Sequence, residues 1–352
     1  MITTNQTSTL YVGLAGEGTN IGEGGLYRKS RNNTEWEMIT EGLPKYPQVR
    51  ALLVDPIDPS ILYAGTQMGP YRSNDAGKHW SPLTESKSTN DVWSLAFHPN
   101  DSKTIYVGYE PAEIWMTENS GQSWMETDMT NVIYPHITTY MPPTVKRIIS
   151  IAINPSCPTE MYAAIEVGGL LGSTDGGQHW KSLIDGPYST NGTLDLHSVI
   201  VHPFAETNIF IATQIGLFRS RDKGIHWEKP PLENMFSAGS YCRHLSISTS
   251  NPKSILLAAS AGGGSAPKDT LEQGALFRSF DIGETWERID FGETPQNRMF
   301  VTAFDQTNSS NIHCATNNGK VYSTFDDGLT WTKTEIPEEL SRGRYVYSMA
   351  CG

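Results

Sequence analysis

Short apolar runs recur along the whole chain, each bounded by Gly, Pro, Asn or Asp. Residues 49–83 show the pattern best: VRALLVDP, ILYAGT, GPYRSND and KHWSPL follow one another with turn residues between them. Runs of this length, rich in Val, Ile, Tyr and Trp, predict β-strands joined by tight turns. We name the four expected strands A, B, C and D.

One octet recurs at the predicted corner between strands C and D. SNDAGKHW (73–80) is a clean copy, and its hydroxyl and Asp side chains can accept hydrogen bonds from backbone N–H groups of a tight turn. Its Gly suits a positive φ, and its Trp supplies a large apolar anchor. The copies end at Trp residues spaced 44 to 59 residues apart: 29–36, 73–80, 117–124, 173–180, 220–227, 279–286 and 324–331.

Seven such units predict an all-β fold, a seven-bladed β-propeller of four-stranded antiparallel blades, with residues 1–352 as a single domain. The first unit starts with its B strand at Thr9 and lacks an A strand of its own. The C-terminal run RYVYSMACG (344–352) can supply it, so we expect the last strand to join blade 1 and close the ring.

The stretch VDPIDPSILYAGTQMGPYRSNDAGKHW resembles the BNR or Asp-box repeat shared by sialidases, two-propeller xyloglucanases, sortilin-type receptors and photosystem II assembly factors. The resemblance extends over nearly the whole chain. It implies the propeller fold without choosing a function, because this repeat serves glycosidases, receptors and assembly factors alike.

The long connections all belong to one face of the predicted propeller. They are B–C loops (15–25 and 261–274) and D–A loops (124–149, 180–197 and 227–244), whereas the A–B and C–D turns stay short. Binding residues are usually carried on long loops of a rigid scaffold, so we expect the functional site on this face.

Charge and composition limit the classes of partner that we expect for this chain. The formal net charge of −12 disfavours nucleic-acid binding, and no apolar run is long enough to span a membrane. The N-terminus lacks the pattern of a signal peptide. Four widely spaced cysteines without a CxxC pair predict free thiols and a cytoplasmic location, unless a leader has been removed.

Two histidines are expected at the channel mouth. We expect His197 and His244 to begin neighbouring A strands at equivalent positions, where they can act in general acid–base catalysis or hold a divalent metal. Equally, they can be hydrogen-bonded channel residues without a ligand, and a zinc-type spacing is absent. No cofactor is certain on this basis.

Polar residues follow the B strands at the same face. Glu110 and Glu166 end the B strands of neighbouring blades, and two close carboxylates acquire different pKa values, which suits acid–base work. Gln67 and Gln214 occupy the corresponding positions of blades 2 and 5. The other interpretation is a solvated polar rim around a water-filled channel.

Arginines gather where A strands begin, which is unexpected in an acidic chain. Planar guanidinium groups of Arg147, Arg243 and Arg298 suit a bidentate anion, or they neutralise the neighbouring glutamates. Tyr241 and His136 are further candidate substrate-binding residues on this face.

The resemblance restricts the mechanisms that can be carried over. The catalytic Asp of the xyloglucanase family lies in a stretch similar to GTQMGPYRS, where this chain has Gln67, and blade 5 has Gln214 in TQIGLFRS. An amide is neither an acid nor a base. Sialidases have six blades and an Arg-Ile-Pro signature that this chain lacks.

We therefore expect a soluble propeller whose central pocket on the loop-rich face binds, and as a hydrolase or lyase transforms, a small polar or anionic, carbohydrate-like molecule. The alternative is a non-catalytic binding or assembly module that uses the same face for a protein or peptide.

Overall fold

A computed structural model describes residues 8–16, 24–83, 90–133, 145–183, 195–203, 208–232, 236, 240–262, 273–341 and 343–352. Its strands form seven antiparallel sheets arranged as blades, as the repeats predict. The described residues hold one short helix, α1 (Glu338–Ser341), and no helix among them is long and apolar enough to cross a membrane.

The first three blades run in the order A, B, C, D. Blade 1 contains β27 (Tyr345–Cys351), β1 (Thr9–Ala15), β2 (Gly25–Ser30) and β3 (Glu37–Met38). Blade 2 contains β4 (Ala51–Val54), β5 (Leu62–Thr66), β6 (Gly69–Ser73) and β7 (Ser81–Pro82). Blade 3 contains β8 (Asp91–His98), β9 (Asp101–Glu110), β10 (Ile114–Thr117) and β11 (Met125–Glu126).

The other four blades repeat this order. Blade 4 contains β12 (Arg147–Ile153), β13 (Met161–Glu166), β14 (Gly169–Ser173) and β15 (Lys181–Leu183). Blade 5 contains β16 (Leu196–Val201), β17 (Ile209–Thr213) and β18 (Gly216–Ser220), with a single Arg219–Glu228 bridge at its outer edge. Blade 6 contains β19 (Ser240–Ile247), β20 (Ile255–Ala261), β21 (Gly274–Ser279) and β22 (Glu287–Arg288). Blade 7 contains β23 (Met299–Phe304), β24 (Ile312–Thr316), β25 (Lys320–Thr324) and β26 (Thr332–Glu335).

The ring closes through the C-terminal strand, as predicted. β27 pairs antiparallel with β1, from Leu10–Cys351 to Ala15–Tyr345, so blade 1 combines the two ends of the chain. Each A strand contacts the A strands of both neighbouring blades, and β27 contacts β4 and β23. The seven A strands therefore surround the central channel.

The octets form the C–D corners that the sequence predicts. In blade 2, Ser73 Oγ accepts from Gly77 N–H at 2.8 Å, and Asp75 Oδ1 accepts from His79 N–H at 2.9 Å. Ala76 and Gly77 both have positive φ, of 59° and 86°, which is why a Gly is needed in this turn. Asn119 replaces the Asp in blade 3 and accepts the same backbone bond from Ser123.

A β-bulge near the start of the A strands is a feature that the sequence did not predict. Six of the seven A strands have such a β-bulge. The seventh, β4, has no bulge, but the residue before it, Arg50, donates its backbone N–H to the carbonyl of Gly65, the residue that pairs with Ala51. A bulge leaves one residue unpaired and redirects its side chain. The residues that the six bulges leave out of the strand ladder are Trp93, Ile149, His197, Arg243, Phe300 and Tyr347, and Arg50 has the equivalent place before β4.

The residue after each bulge faces a Gly or Ala of the B strand in every blade. A Cβ on Gly108 would lie 2.3 Å from Ser94 Oγ and 2.6 Å from Ile148 Cγ2 of the next blade. Small residues at this level let neighbouring blades approach closely around the channel.

Candidate functional site

The six bulge residues and Arg50 line one cavity of about 280 Å³ at the channel, which we call the mouth cavity. A strands begin and B strands end at this edge of every blade, because each A–B pair is antiparallel. This is the edge where the B–C and D–A connections join the strands. Residues 17–23, 134–144, 184–194, 233–235, 237–239 and 263–272 of the long loops, including His136, lie outside the described residues.

Arg147 joins the two candidate glutamates. Its Nε donates to Glu166 Oε2 within blade 4, and its Nη1 lies 3.4 Å from Glu110 Oε2 of blade 3. Burial lowers the pKa of Arg147, but attraction to Glu166 and Glu110 outweighs it and raises the pKa, so the guanidinium stays charged. The structure thus brings Glu110, Glu166 and Arg147 together.

Glu110 is more easily protonated than an ordinary glutamate. Burial raises its pKa above the usual value, and the nearby Arg147 opposes this only in part. Asp91, which pairs with Glu110 across strands β8 and β9, also has its pKa raised by burial. Two half-buried carboxyl groups with raised pKa values are typical of proton donors in enzyme sites.

Trp93 holds two cations against its ring. The guanidinium carbon of Arg147 lies 3.9 Å from the ring centroid and that of Arg50 lies 4.6 Å away. Arg50 is also ion-paired to Asp91 at 3.0 Å. Arg50 and Arg147 are therefore fixed by protein partners on this side of the mouth cavity.

Arg243 differs from these two arginines in its lack of an ion pair among the described residues, whereas Arg50, whose Nε and Nη1 also lack hydrogen bonds, is ion-paired to Asp91. It is only 7% exposed, its guanidinium stacks on Phe300 at 4.5 Å, and its Nη1 has no hydrogen-bond partner among the described residues. Burial lowers its pKa, but attraction to Tyr241 and Glu166 outweighs this and raises the pKa, so it remains a cation. No ion pair within the described residues neutralises it at contact distance.

His197 is fully buried beside two carboxylates. Its Nδ1 donates to the Cys242 carbonyl at 2.7 Å, and its Nε2 lies 3.6 Å from Asp195 Oδ1. One atom each of Glu166, Asp195 and His197 lie within 4.8 Å of one another. In the described part of the chain this group of side chains has the spacing to hold a metal ion.

His197 and His244 do not occupy equivalent positions, and that expectation is wrong. His197 is the bulge residue of β16, whereas the bulge residue of β19 is Arg243, and His244 pairs with Ala258 one position later. His244 is also outside the metal-capable group of described residues. The one-residue offset redirects its side chain.

His244 is held by blade 7. Its Nδ1 accepts from Thr302 N–H at 3.3 Å and lies 3.2 Å from Thr302 Oγ1. Burial, and secondarily Arg243, lower its pKa to about 4. His244 is therefore neutral at pH 7 and cannot act there as a general acid.

The glutamines and the remaining candidates have structural partners. Gln67 Oε1 accepts from Gln48 N–H at 2.8 Å, and its Nε2 donates to the Tyr46 carbonyl, so it holds the segment that leads to Arg50. Gln214 donates its backbone N–H to the Asp195 carbonyl. Arg298 stacks on Tyr241 at 4.8 Å, and the ring of Tyr241 lies 4.6 Å from that of His197.

The sequence analysis did not select Asp195, Asp91, Phe300 and Tyr347. Asp91, Arg147 and Asp195 each precede a bulge residue by two positions, so they share a place in the blade. The shared place of these residues becomes visible when the A strands are aligned so that His197 matches Arg243. It is hidden when His197 is matched with His244.

Comparisons with known proteins support the repeat assignment. Residues 70–186 match the family model described as "Sortilin, neurotensin receptor 3". The chain is 24% identical over 322 residues to the xyloglucanase Xgh74A of Acetivibrio thermocellus, which covers 78% of this chain and 36% of that protein. These matches fit an Asp-box propeller superfamily without a specific member.

Two solved structures share the fold. The GH74 enzyme of Niastella koreensis has a TM-score of 0.63 at 18% identity and covers 82% of this chain and 45% of that one. YCF48 bound to a D1 peptide has a TM-score of 0.55 at 17% identity and covers 88% and 89%. The chain spans between 24% and 36% of the xyloglucanases it matches, so no specific member is indicated.

Proposed function

We propose that the mouth cavity binds a small carbohydrate carrying a carboxylate group, and that the protein hydrolyses it. The observation that carries the proposal is Arg243, a buried cation whose Nη1 has no protein partner among the described residues. A buried charge is costly unless it is paired, so a group of this kind is usually completed by an anion. A guanidinium binds a carboxylate with two parallel hydrogen bonds.

The rest of the cavity suits the ring of a sugar. Trp93, Phe300 and Tyr347 line it together with Arg243, which combines apolar faces with a single unpaired charge. The lining also includes polar side chains, among them Arg50, His197 and His244, and polar groups of this kind fix the orientation of a ligand in its site. The similarity to xyloglucanases supports a carbohydrate as the ligand class.

Two carboxyl groups held by Arg147, which stacks on the lining residue Trp93, are the candidates for the hydrolysis, although neither is itself among the residues that line the cavity. Glu110, whose pKa is raised by burial, is the proton donor to the leaving oxygen. Glu166, ion-paired to Arg147, serves as the carboxylate that activates water or attacks the sugar. Gln67 and Gln214 take no part, since amides do not transfer protons and Gln67 is bound to the backbone of residues 46–48.

The proposal is tested by calorimetric titration with D-glucuronate and D-glucose, which differ at the carboxylate. We expect glucuronate to bind at least ten-fold more tightly than glucose, and Arg243→Gln to remove that difference. Arg31→Gln, at an exposed arginine of a C–D corner, is the control. Equal affinities for the two sugars would contradict the proposal.

Turnover is tested separately with glucuronate-containing oligosaccharides. Glu110→Gln is expected to abolish the formation of product without weakening the binding of the oligosaccharide. An unsaturated product sugar would indicate elimination instead of hydrolysis, and binding without any turnover would reduce the function to recognition.

A second candidate function is recognition of a peptide. It is favoured by the end-to-end match to YCF48 bound to a D1 peptide, which covers 89% of that chain, against 45% for the GH74 enzyme. A peptide would place its terminal carboxylate on Arg243. Titration with a peptide in free-acid and amidated forms distinguishes this candidate, because only the free acid would bind and would compete with glucuronate.

A further inference from the structure

We propose that Glu166, Asp195 and His197 form a binding site for one divalent transition-metal ion beside the mouth cavity. One atom from each of the three side chains lies within 4.8 Å of the others. The three residues come from the end of β13 and from the segment that begins β16 in the next blade. The site therefore joins blades 4 and 5.

The hydrogen-bond geometry of His197 points to a cation. Its Nδ1–H donates to the Cys242 carbonyl at 2.7 Å, which leaves the lone pair of neutral imidazole on Nε2. That Nε2 is buried, has no hydrogen-bond partner among the described residues, and lies 3.6 Å from the acceptor Asp195 Oδ1. A lone pair directed at a carboxylate is unfavourable until a cation lies between them.

The donor set and its support match metal sites. A metal-bound His usually donates its other ring N–H to a backbone carbonyl or carboxylate, as His197 does to Cys242. One imidazole and two carboxylates suit Zn²⁺ and Mn²⁺. Bonds of about 2.1 Å in a tetrahedral arrangement separate ligand atoms by about 3.4 Å. The His197–Asp195 pair is near this spacing, and the Glu166 carboxylate has an oxygen within 4.8 Å of both.

Arg147 positions Glu166 for this role. The Arg147 Nε–H donates to Glu166 Oε2, which orients the carboxylate and leaves Oε1 for the ion. Two carboxylates, one guanidinium and a divalent ion give the cluster a net charge of +1, so the ion would add to the attraction of the mouth cavity for anions. His244 is no part of this site, since its Nδ1 accepts from Thr302 N–H.

The test is elemental analysis and calorimetric titration with Zn²⁺, after removal of metal with a chelator and without any sugar present. We expect one Zn²⁺ per chain in the wild-type protein. His197→Gln is expected to weaken Zn²⁺ binding at least 100-fold, and Glu166→Gln, at a partly exposed position, at least ten-fold.

The matched control is His244→Gln, which removes a buried histidine of the neighbouring inner strand and should keep wild-type Zn²⁺ affinity. Folding of each variant is checked by circular dichroism, and Glu166→Gln serves if His197→Gln does not fold. Absence of Zn²⁺ binding by the wild-type protein, or wild-type affinity in Glu166→Gln and His197→Gln, would overturn the proposal. So would an equal loss in His244→Gln.

Discussion

His197 and Arg243 occupy the same structural position in neighbouring blades, each as the unpaired residue of a β-bulge. The bulge turns both side chains toward the mouth cavity. One position therefore supplies an imidazole in blade 5 and a guanidinium in blade 6. The same position supplies Trp93 and Phe300, the rings on which Arg147 and Arg243 stack.

Arg243 and Arg147 should respond oppositely to the same substitution. Arg243→Met removes a buried charge that lacks a contacting ion-pair partner, so we expect the free energy of unfolding to rise by about 1–3 kcal/mol. Arg147→Met leaves Glu166 and Glu110 without their cation and should lower it by about 3 kcal/mol. Urea denaturation measures both. A large loss of stability in Arg243→Met would mean that the protein itself neutralises this charge.

Trp93 should be important for the stability of blades 2 to 4. Its ring is 6% exposed and lies against Arg50 and Arg147. We expect Trp93→Ala to lower the free energy of unfolding by about 3–5 kcal/mol. Trp93→Phe keeps an aromatic face for both cations and should cost less than half as much. If Trp93→Phe and Trp93→Ala lowered the free energy of unfolding equally, contact between an aromatic ring and the two cations would contribute nothing measurable.

Gly108 is predicted to resist enlargement. An added methyl group would lie 2.3 Å from Ser94 Oγ and 2.6 Å from Ile148 Cγ2. Gly108→Ala should therefore destabilise the protein by about 1–3 kcal/mol, measured by urea denaturation. Ala164 has the corresponding position in blade 4, where a methyl group fits, and Ala164→Gly is the companion variant. A neutral Gly108→Ala would mean that blades 3 and 4 separate at little cost.

The Asp-box carboxylates should make the fold acid-sensitive. Hydrogen bonds from the hydroxyl and the N–H of Thr330 lower the pKa of Asp326 to about 2. The charged form is thus favoured in the folded state. Its contribution is complete above the unfolded pKa near 4 and is lost as the pH falls toward about 2.

Asp326→Asn should therefore reduce the decline in stability between about pH 4 and pH 2, since Asn119 shows that an amide can form the same turn. Denaturant unfolding across this pH range measures the effect, with exposed Glu287→Gln as control. An unchanged slope in Asp326→Asn would mean that other carboxylates determine the acid response.

The fold could be predicted because its signals are local and repeated. The octets fix seven corners, and the missing A strand of blade 1 predicts β27 as its partner. Strand ends in blade 2 shift by up to three residues, since β4 covers 51–54 within the predicted run 49–56 and β7 covers 81–82 within 78–83. Such boundaries depend on pairing with neighbouring strands.

The site could be predicted only in part. Arg147 and Glu166 come from opposed strand ends, so their contact follows from the blade pattern. No pattern in the sequence marks the bulges. Because His197 is the bulge residue of β16, its structural equivalent in β19 is the bulge residue Arg243, and His244 lies one residue further along. The role of Asp195 depends on that offset. His136 lies in the 134–144 segment outside the described residues and stays a prediction.

The central claim, that Arg243 completes its hydrogen bonds with an anion, is tested most directly by a crystal structure of the protein with D-glucuronate. We predict the carboxylate in the mouth cavity, within hydrogen-bond distance of Arg243 Nη1, with the sugar ring against Trp93, Phe300 or Tyr347. A structure in which the Arg243 Nη1 is bonded to a protein group, with glucuronate absent from the cavity or bound elsewhere, would contradict the account.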